Sequence, residues 1–350
     1  MANENLNDKK NYIPPLCDKE YLIEEEENFS IMTVGDMHLH GSTPKSRLDN
    51  YPETSIQKLA ILRREMVERG CKYLFCAGDI FHVSKERSDY EFQVIQEFLK
   101  FKDAGIKVFI STGNHDIQND RLDTIEKSSL GILYLTGVVN PFVKVTFKRG
   151  DKTPIVVTGL HFPNEVEPVT EFNAYNILCC HKFYNIPADK DSILKKNLEN
   201  YGYNMYICGH DHIPYELEKV PTKDGIVSVV RPGSFMRGTS HNYNTKRLVY
   251  MDEIKFNGKV EVERHTLPVK DPKEIFPASV TDKMEDTSLK DISKQLADLV
   301  TQMYENKSSN NSVYSILDES PVDIKIKRRI VDYLESHGIF RKDNVVADLE

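Results

Sequence analysis

The sequence contains no tryptophan and no long apolar run, and it has only six cysteines in 350 residues. No stretch approaches the ~20 apolar residues a membrane span needs, and the start, MANENLNDKKNYIPP, has no apolar signal core. The protein is therefore expected to remain in the cytoplasm, with no membrane among its partners. The cysteines at 17, 71, 76, 179, 180 and 208 show no paired metal spacing, and several lie inside apolar runs, as buried reduced thiols do. Disulfides are not expected. Positive charge is also in short supply, with 46 Lys and Arg against 54 Asp and Glu for a formal charge of −8. That balance argues against a protein that coats nucleic acid nonspecifically, because such binding rests on neutralising phosphates. A locally basic groove remains compatible with it.

A chain of this length holds a catalytic-sized domain with room for a smaller one. Residues 1–28 are polar, contain Pro14-Pro15 and end in the acidic run Glu24 to Glu27, so they read as an extension packed loosely or not at all. From Phe29 the texture changes. FSIMTVGD, CKYLFCAGD and IKVFISTGNHD read as strands. Between them lie a helix over Thr54 to Glu68, with Ile56, Leu59, Ala60 and Val67 at helical spacing, and one from Ser88 burying Val94, Ile95, Phe98 and Leu99. Gly70 and Gly105 stand where C-terminal caps belong. This β-α-β-α-β run implies parallel strands with functional loops at their carboxyl ends.

After residue 140 strands dominate, at 143–147, 154–160, 175–181, 204–210, 225–234, 246–253 and 259–267. Two sheets packed face to face and flanked by helices fit that pattern, which makes the fold class α/β. Beyond 270 two further helices are expected, about 287–304 and 321–337, the second with Ser320 as cap and Pro321 in its first turn.

Chemistry concentrates at the strand ends. CGHDH, at 208–212, puts two histidines two residues apart, which alone fits a polar turn as well as a metal site. The same order of strand, glycine, then acid or imidazole recurs. GDMHLHG delivers Asp36 and His38, AGDIFH delivers Asp79, and TGNHD delivers Asn114, His115 and Asp116. YNILCCH delivers His181, and NMYICGHDH delivers His210 and His212. One divalent ion takes roughly four to six such ligands, so seven suit two ions about 3.5–4 Å apart sharing a carboxylate and a water.

These five motifs resemble those of the calcineurin-like metallophosphoesterases, over roughly residues 29–270. The resemblance implies a four-layer β-sandwich flanked by helices, with Asp36, His38 and His212 on the first metal and Asn114, His181 and His210 on the second. Asp79 then bridges them, and His115 stabilises the transition state or protonates the leaving oxygen, with Asp116 as its orienting partner. Within the family, His82 in GDIFH and the segment RPGSFMRGTSH (231–241) are similar to the SbcD-type double-strand-break repair nucleases, including phage relatives. By that likeness the substrate is DNA, the ions are Mn²⁺ (Mg²⁺, Fe²⁺ or Zn²⁺ being alternatives), and His82 joins the catalytic set. The host is then a bacterium, or the cell infected by a phage. Lys182, Arg231 and Arg237, with Lys85 and Arg87, are candidate substrate contacts. The helical region 271–350 is a candidate docking segment for an SbcC-type coiled-coil ATPase, and a homodimer is implied. A phosphoesterase for small nucleotides or phosphoproteins uses the same five motifs, and a non-catalytic scaffold would normally lack several of the ligands.

Overall fold

The structure is a computed structural model that describes residues 11–187, 189, 192–238 and 247–277. Strands β1 (Glu20–Glu24) and β2 (Phe29–Val34) lead into helix α1 (Tyr51–Glu68), β3 (Tyr73–Cys76), α2 (Ser88–Asp103) and β4 (Lys107–Ile110). Then come α3 (Ser129–Thr136), β5 (Asn140–Pro141), β6 (Lys144–Arg149), β7 (Lys152–Leu160), β8 (Tyr175–Cys180), α4 (Leu198–Tyr201) and β9 (Met205–Cys208). The hairpins β10 (Tyr215–Thr222) with β11 (Gly225–Arg231) and β12 (Val249–Phe256) with β13 (Val260–Leu267) follow, and α5 (Pro272–Ile275) comes last. The helices expected at 287–304 and 321–337 lie outside the described residues. No helix among the described residues is long and apolar enough to cross a membrane.

Two sheets form the centre. One has seven strands in the order β1-β6-β7-β8-β9-β11-β10, the other six in the order β13-β12-β2-β3-β4-β5. Strands β2, β3 and β4 are mutually parallel, as are β7, β8 and β9. Their side chains alternate between two apolar layers, which is why they read as unbroken apolar runs. Ile31, Phe75, Phe109, Ile177, Cys179 and Ile207 point between the sheets. Met32, Leu74, Cys76, Val108 and Ile110 face the other way, onto Leu59, Leu62 and Met66 of α1 and Val94, Phe98 and Phe101 of α2. Across the second sheet, Leu178, Cys180, Tyr206 and Cys208 pack with Tyr184, Ile193 and Leu198. The result is the expected layering of helices, sheet, sheet and a smaller outer cover. All six cysteines are buried and free.

Three expectations need correction. Helix α1 starts a turn before Thr54, because Asn50 Oδ1 accepts from the Glu53 N–H and Pro52 sits in the first turn, where its missing N–H costs nothing. Val67 and Leu99, placed on buried faces by their spacing, are exposed. The stretch ahead of Phe29 is not loose where it is described. Strand β1 pairs in parallel with β6 from Glu20↔Lys144 to Glu24↔Lys148, while Cys17 and Ile23 are buried. Of the acidic run that suggested a solvated tail, Glu24 lies 3.9 Å from Lys148 of β6, Glu25 3.8 Å from Lys72 and Glu27 3.8 Å from Lys152 of β7, while Glu20 of β1 lies 3.0 Å from Lys144.

Candidate metal centre

Every proposed ligand follows the carboxyl end of a parallel strand, and the glycines before Asp79, Asn114 and His210 are there for want of space. A Cβ on Gly78 would lie 2.4 Å from Gly113 N, one on Gly113 2.2 Å from Asp79 Oδ1, and one on Gly209 2.7 Å from Asp36 Oδ1. The strand-end loops are laced together by backbone hydrogen bonds from His38 N to Asp79 O (3.0 Å), Leu39 N to Ile80 O (2.8 Å), Gly209 N to Cys180 O (3.0 Å) and Phe235 N to Asp36 O (2.8 Å). His38, Asp79 and His210 adopt left-handed backbone, at φ 45°, 50° and 74°. Such conformations are unfavourable for side-chain-bearing residues and persist where surrounding contacts dictate them, which is common at functional sites.

The donor atoms fall into two groups, Asp36 with His38 and His212, and Asp79 with His181 and His210, the atoms within each group lying within 4.8 Å of one another. In the first, His38 Nε2 is 2.8 Å from His212 Nε2, and Asp36 Oδ2 is 3.5 Å from His212 Nε2. In the second, His181 Nε2 is 3.0 Å from Asn114 Oδ1 and 2.9 Å from His210 Nδ1. Asp79 Oδ2 lies between the groups, 3.7 Å from His38 Nε2 and 3.3 Å from His181 Nε2. The same His181 ring donates through Nδ1 to Ala77 O at 2.8 Å, so its neutral form presents a lone pair at Nε2. Such pairs either share a ring proton or turn lone pairs toward a common point, and in the second state a cation between them is favourable. That donor chemistry fits a pair of divalent cations.

Electrostatics agree. Burial, opposed by His181 and reinforced by Asp79, pushes the Asp36 carboxyl up to about 7. Burial also lowers His38 and His210 to about 3, leaving neutral imidazoles able to donate lone pairs. Burial works against ionising Asp79, but His181, His38 and His115 hold its carboxyl well below the usual range. His181 rises to about 9 because Asp79 and Asp36 outweigh its burial. One imidazolium thus compensates two buried acids, a task that metal cations perform without spending a proton.

Residues 29–214, more than half of the chain, match the calcineurin-like phosphoesterase family. The chain belongs to that family. Solved structures similar to it include TT1561 of Thermus thermophilus, at 9% identity, and a dimetal phosphatase from Danio rerio, at 12%. Each has a TM-score of 0.40 over 69% of this chain and 99% of the other. As a calcineurin-like phosphoesterase, the protein is a metal-dependent hydrolase of phosphoesters.

Around this phosphoesterase centre the remaining candidates take definite places. His115 Nδ1 donates to the backbone carbonyl of His82 at 2.6 Å, and the two rings stack 5.4 Å apart at 21°. Asp116 does not orient His115. Its buried carboxylate accepts from the N–H groups of Ile80 (3.0 Å), Phe81 (3.3 Å) and Gly113 (2.9 Å), tying the Asp79 loop to the Asn114 loop. Burial, with Asp79 adding to it, pushes Asp116 up to about 7. His161 went unnoticed in the sequence. Fully enclosed, it accepts at Nδ1 from Thr112 N (3.2 Å) and donates from Nε2 to Phe142 O (3.1 Å), fixing the strand exit two residues ahead of Asn114. Its only signal was a histidine after an apolar strand, in TGLHFP. His40 was missed as well: its Nδ1 is 2.5 Å from the buried Glu86, and its ring leans on His82 at 5.1 Å.

The candidate substrate cations are mostly engaged elsewhere. Arg231 lies between the rings of Tyr215 and Tyr184 and bonds Glu218 at 3.0 Å. Arg237 bonds Lys270 O and lines a cavity beside α1. Lys85 pairs with Glu91 at 2.7 Å and Arg87 pairs with Asp89. Lys182, directly after His181, is buried. In the sequence these side chains pass for groove cations because their acidic and aromatic neighbours are distant or unmarked there.

Proposed function

We propose that this phosphoesterase hydrolyses phosphodiester bonds of DNA, with Asp36, His38 and His212 holding one divalent cation, Asn114, His181 and His210 the other, and Asp79 bridging. Manganese is the proposed metal. Bound there, the pair supplies Lewis acidity toward the phosphoryl oxygens and a water acidic enough to attack near neutral pH. Asp36 is held by the His210 N–H, 3.0 Å from each of its oxygens, and Asp79 Oδ1 by the His115 N–H at 2.9 Å, so both carboxylates are aimed before any ligand binds. His115, with its Nδ1 hydrogen committed to the His82 carbonyl, turns Nε2 outward, and in the imidazolium form that nitrogen donates to the leaving oxygen.

The observation that carries the DNA reading is the stack of exposed His82 on His115 at the rim. It gives His82, the residue on which the nuclease resemblance turns, a place beside the proposed acid. The same reading brings an SbcC-type coiled-coil ATPase and a homodimer as partners. A small-substrate phosphoesterase is the second reading, favoured by the prior engagement of Arg231, Lys85 and Arg87. Purified protein with Mn²⁺ should degrade linear duplex DNA, and Asp79→Ala or His181→Ala should cut the rate at least a thousandfold, on the order expected when a metal ligand is lost. Turnover of a cyclic nucleotide or nucleotide monoester with DNA left intact would remove the nuclease reading.

A further inference from the structure

Helix α1 turns a lysine inward. Lys58 is only 8% exposed, and its ammonium lies 5.4 Å over the Phe235 ring with no hydrogen-bond acceptor among the described residues. An amine in that state holds a proton only at a cost, which an anion beside it would offset. The Lys58 side chain opens on a cavity of about 220 Å³ between α1 and the chain segments around Met236 and Val269. Four of the described residues lining the cavity, Arg47, Lys58, Arg237 and Lys270, are cations, and none of the described lining residues is an acid. Asp49 compensates part of this charge from outside, bonding Arg47 at 2.7 and 2.8 Å and lying 3.6 Å from Lys270. It does not reach Lys58. Burial, then the nearby Arg247, Arg237 and Arg47, pushes the Lys58 ammonium well below its ordinary range. In a chain of net charge −8, such a concentration of positive charge is a local construction.

We propose that this cavity is an anion site that binds a phosphate group, with Lys58 at its floor and Arg237 beside it. Phosphate offers several acceptor oxygens for Lys58 and carries negative charge that the neighbouring guanidinium of Arg237 attracts. Thr54 and Gln57, one turn or less from Lys58, add polar groups to the wall. The site adjoins the metal centre without being part of it. Phe235, under the Lys58 ammonium, donates its N–H to Asp36 O, and Tyr51 of the same helix donates its hydroxyl to His38 O at 2.9 Å. The RPGSFMR segment therefore touches both sites, with Phe235 bonded to the Asp36 backbone and Arg237 on the cavity, and the inference holds whichever ester the metal centre cleaves.

The test is thermal unfolding and calorimetric titration of the full-length, metal-free protein with inorganic phosphate, and separately with a 5′-phosphorylated and a 5′-hydroxyl oligonucleotide. Wild type should gain roughly 2–4 °C in Tm at phosphate near ten times Kd, above a chloride control of equal ionic strength. Lys58→Met should lose that gain and bind at least about tenfold more weakly, while Lys58→Arg should keep most of it. Should Lys58→Met fail to fold, Arg237→Gln read by titration alone should show the same weakening. Preference for free phosphate would assign the site to a small anion, and preference for the 5′-phosphorylated strand to a nucleic-acid end. Equal responses from wild type and Lys58→Met, or a wild-type shift matched by chloride, would overturn the proposal.

Discussion

His115 is oriented by a backbone atom, and that changes what its neighbours are worth. Its Nδ1 hydrogen goes to the carbonyl of His82, which survives any substitution at 82, whereas the stacked ring of His82 does not. His115→Ala should therefore lower kcat by roughly 10²–10⁴ with metal content unchanged, while His82→Ala should cost about tenfold. Steady-state rates alongside metal analysis check both, and an equal loss at the two positions would assign the proton donor's role to the His82 ring. The ligand candidates were legible because side chains of unusual type recur after apolar runs. Asp116 was legible as a residue but not in its role, and His161 in neither, since their partners are backbone N–H and C=O groups that every residue carries and no sequence pattern marks.

Among the elements, the strand-to-loop junctions carry the tightest constraint. Gly113 has ordinary backbone, yet an added Cβ would sit 2.2 Å from Asp79 Oδ1, so Gly113→Ala must push the proposed bridging carboxylate aside. Metal affinity should fall about 10–100-fold while the far-ultraviolet circular dichroism stays native. Gly105 is the opposite case, with φ +76° and nothing within 4 Å of a Cβ. Gly105→Ala should cost about 1 kcal/mol of stability and leave metal binding intact. If Gly113→Ala binds metal as wild type does, the glycine is not there to make room for the carboxylate. The central strands were readable because both of their faces are apolar. Strand β10 is the charge-rich edge of its sheet, β1 a short acidic one, and α3 is buried on too many sides to show an amphipathic period. Edge pairing depends on a neighbour distant in sequence, which local pattern does not supply.

The centre belongs to neither sheet alone. Asp36, Asp79 and Asn114 come from the six-stranded sheet, His181 and His210 from the seven-stranded one, so the geometry holds only while the two sheet edges keep their alignment. His161 is one of the ties. It follows β7 of one sheet and holds Thr112, after β4 of the other, through a nitrogen that must remain unprotonated to accept. Burial lowers this histidine from 6.5 to about 4. Between those values the unfolded chain takes up a proton that the folded chain refuses, so stability falls as pH drops through 6.5 and levels off near 4. For this one group the loss reaches about 3 kcal/mol. His161→Gln, which keeps an acceptor and a donor but does not titrate, should be less stable than wild type at pH 8 and lose less on acidification. The metal-free proteins, unfolded in urea at intervals from pH 8 to 4.5, should show the two stability curves converging below pH 6. Curves that stay parallel across that range would mean that His161 titrates alike in the folded and unfolded chains, and that the sheet alignment is not fixed by a neutral imidazole.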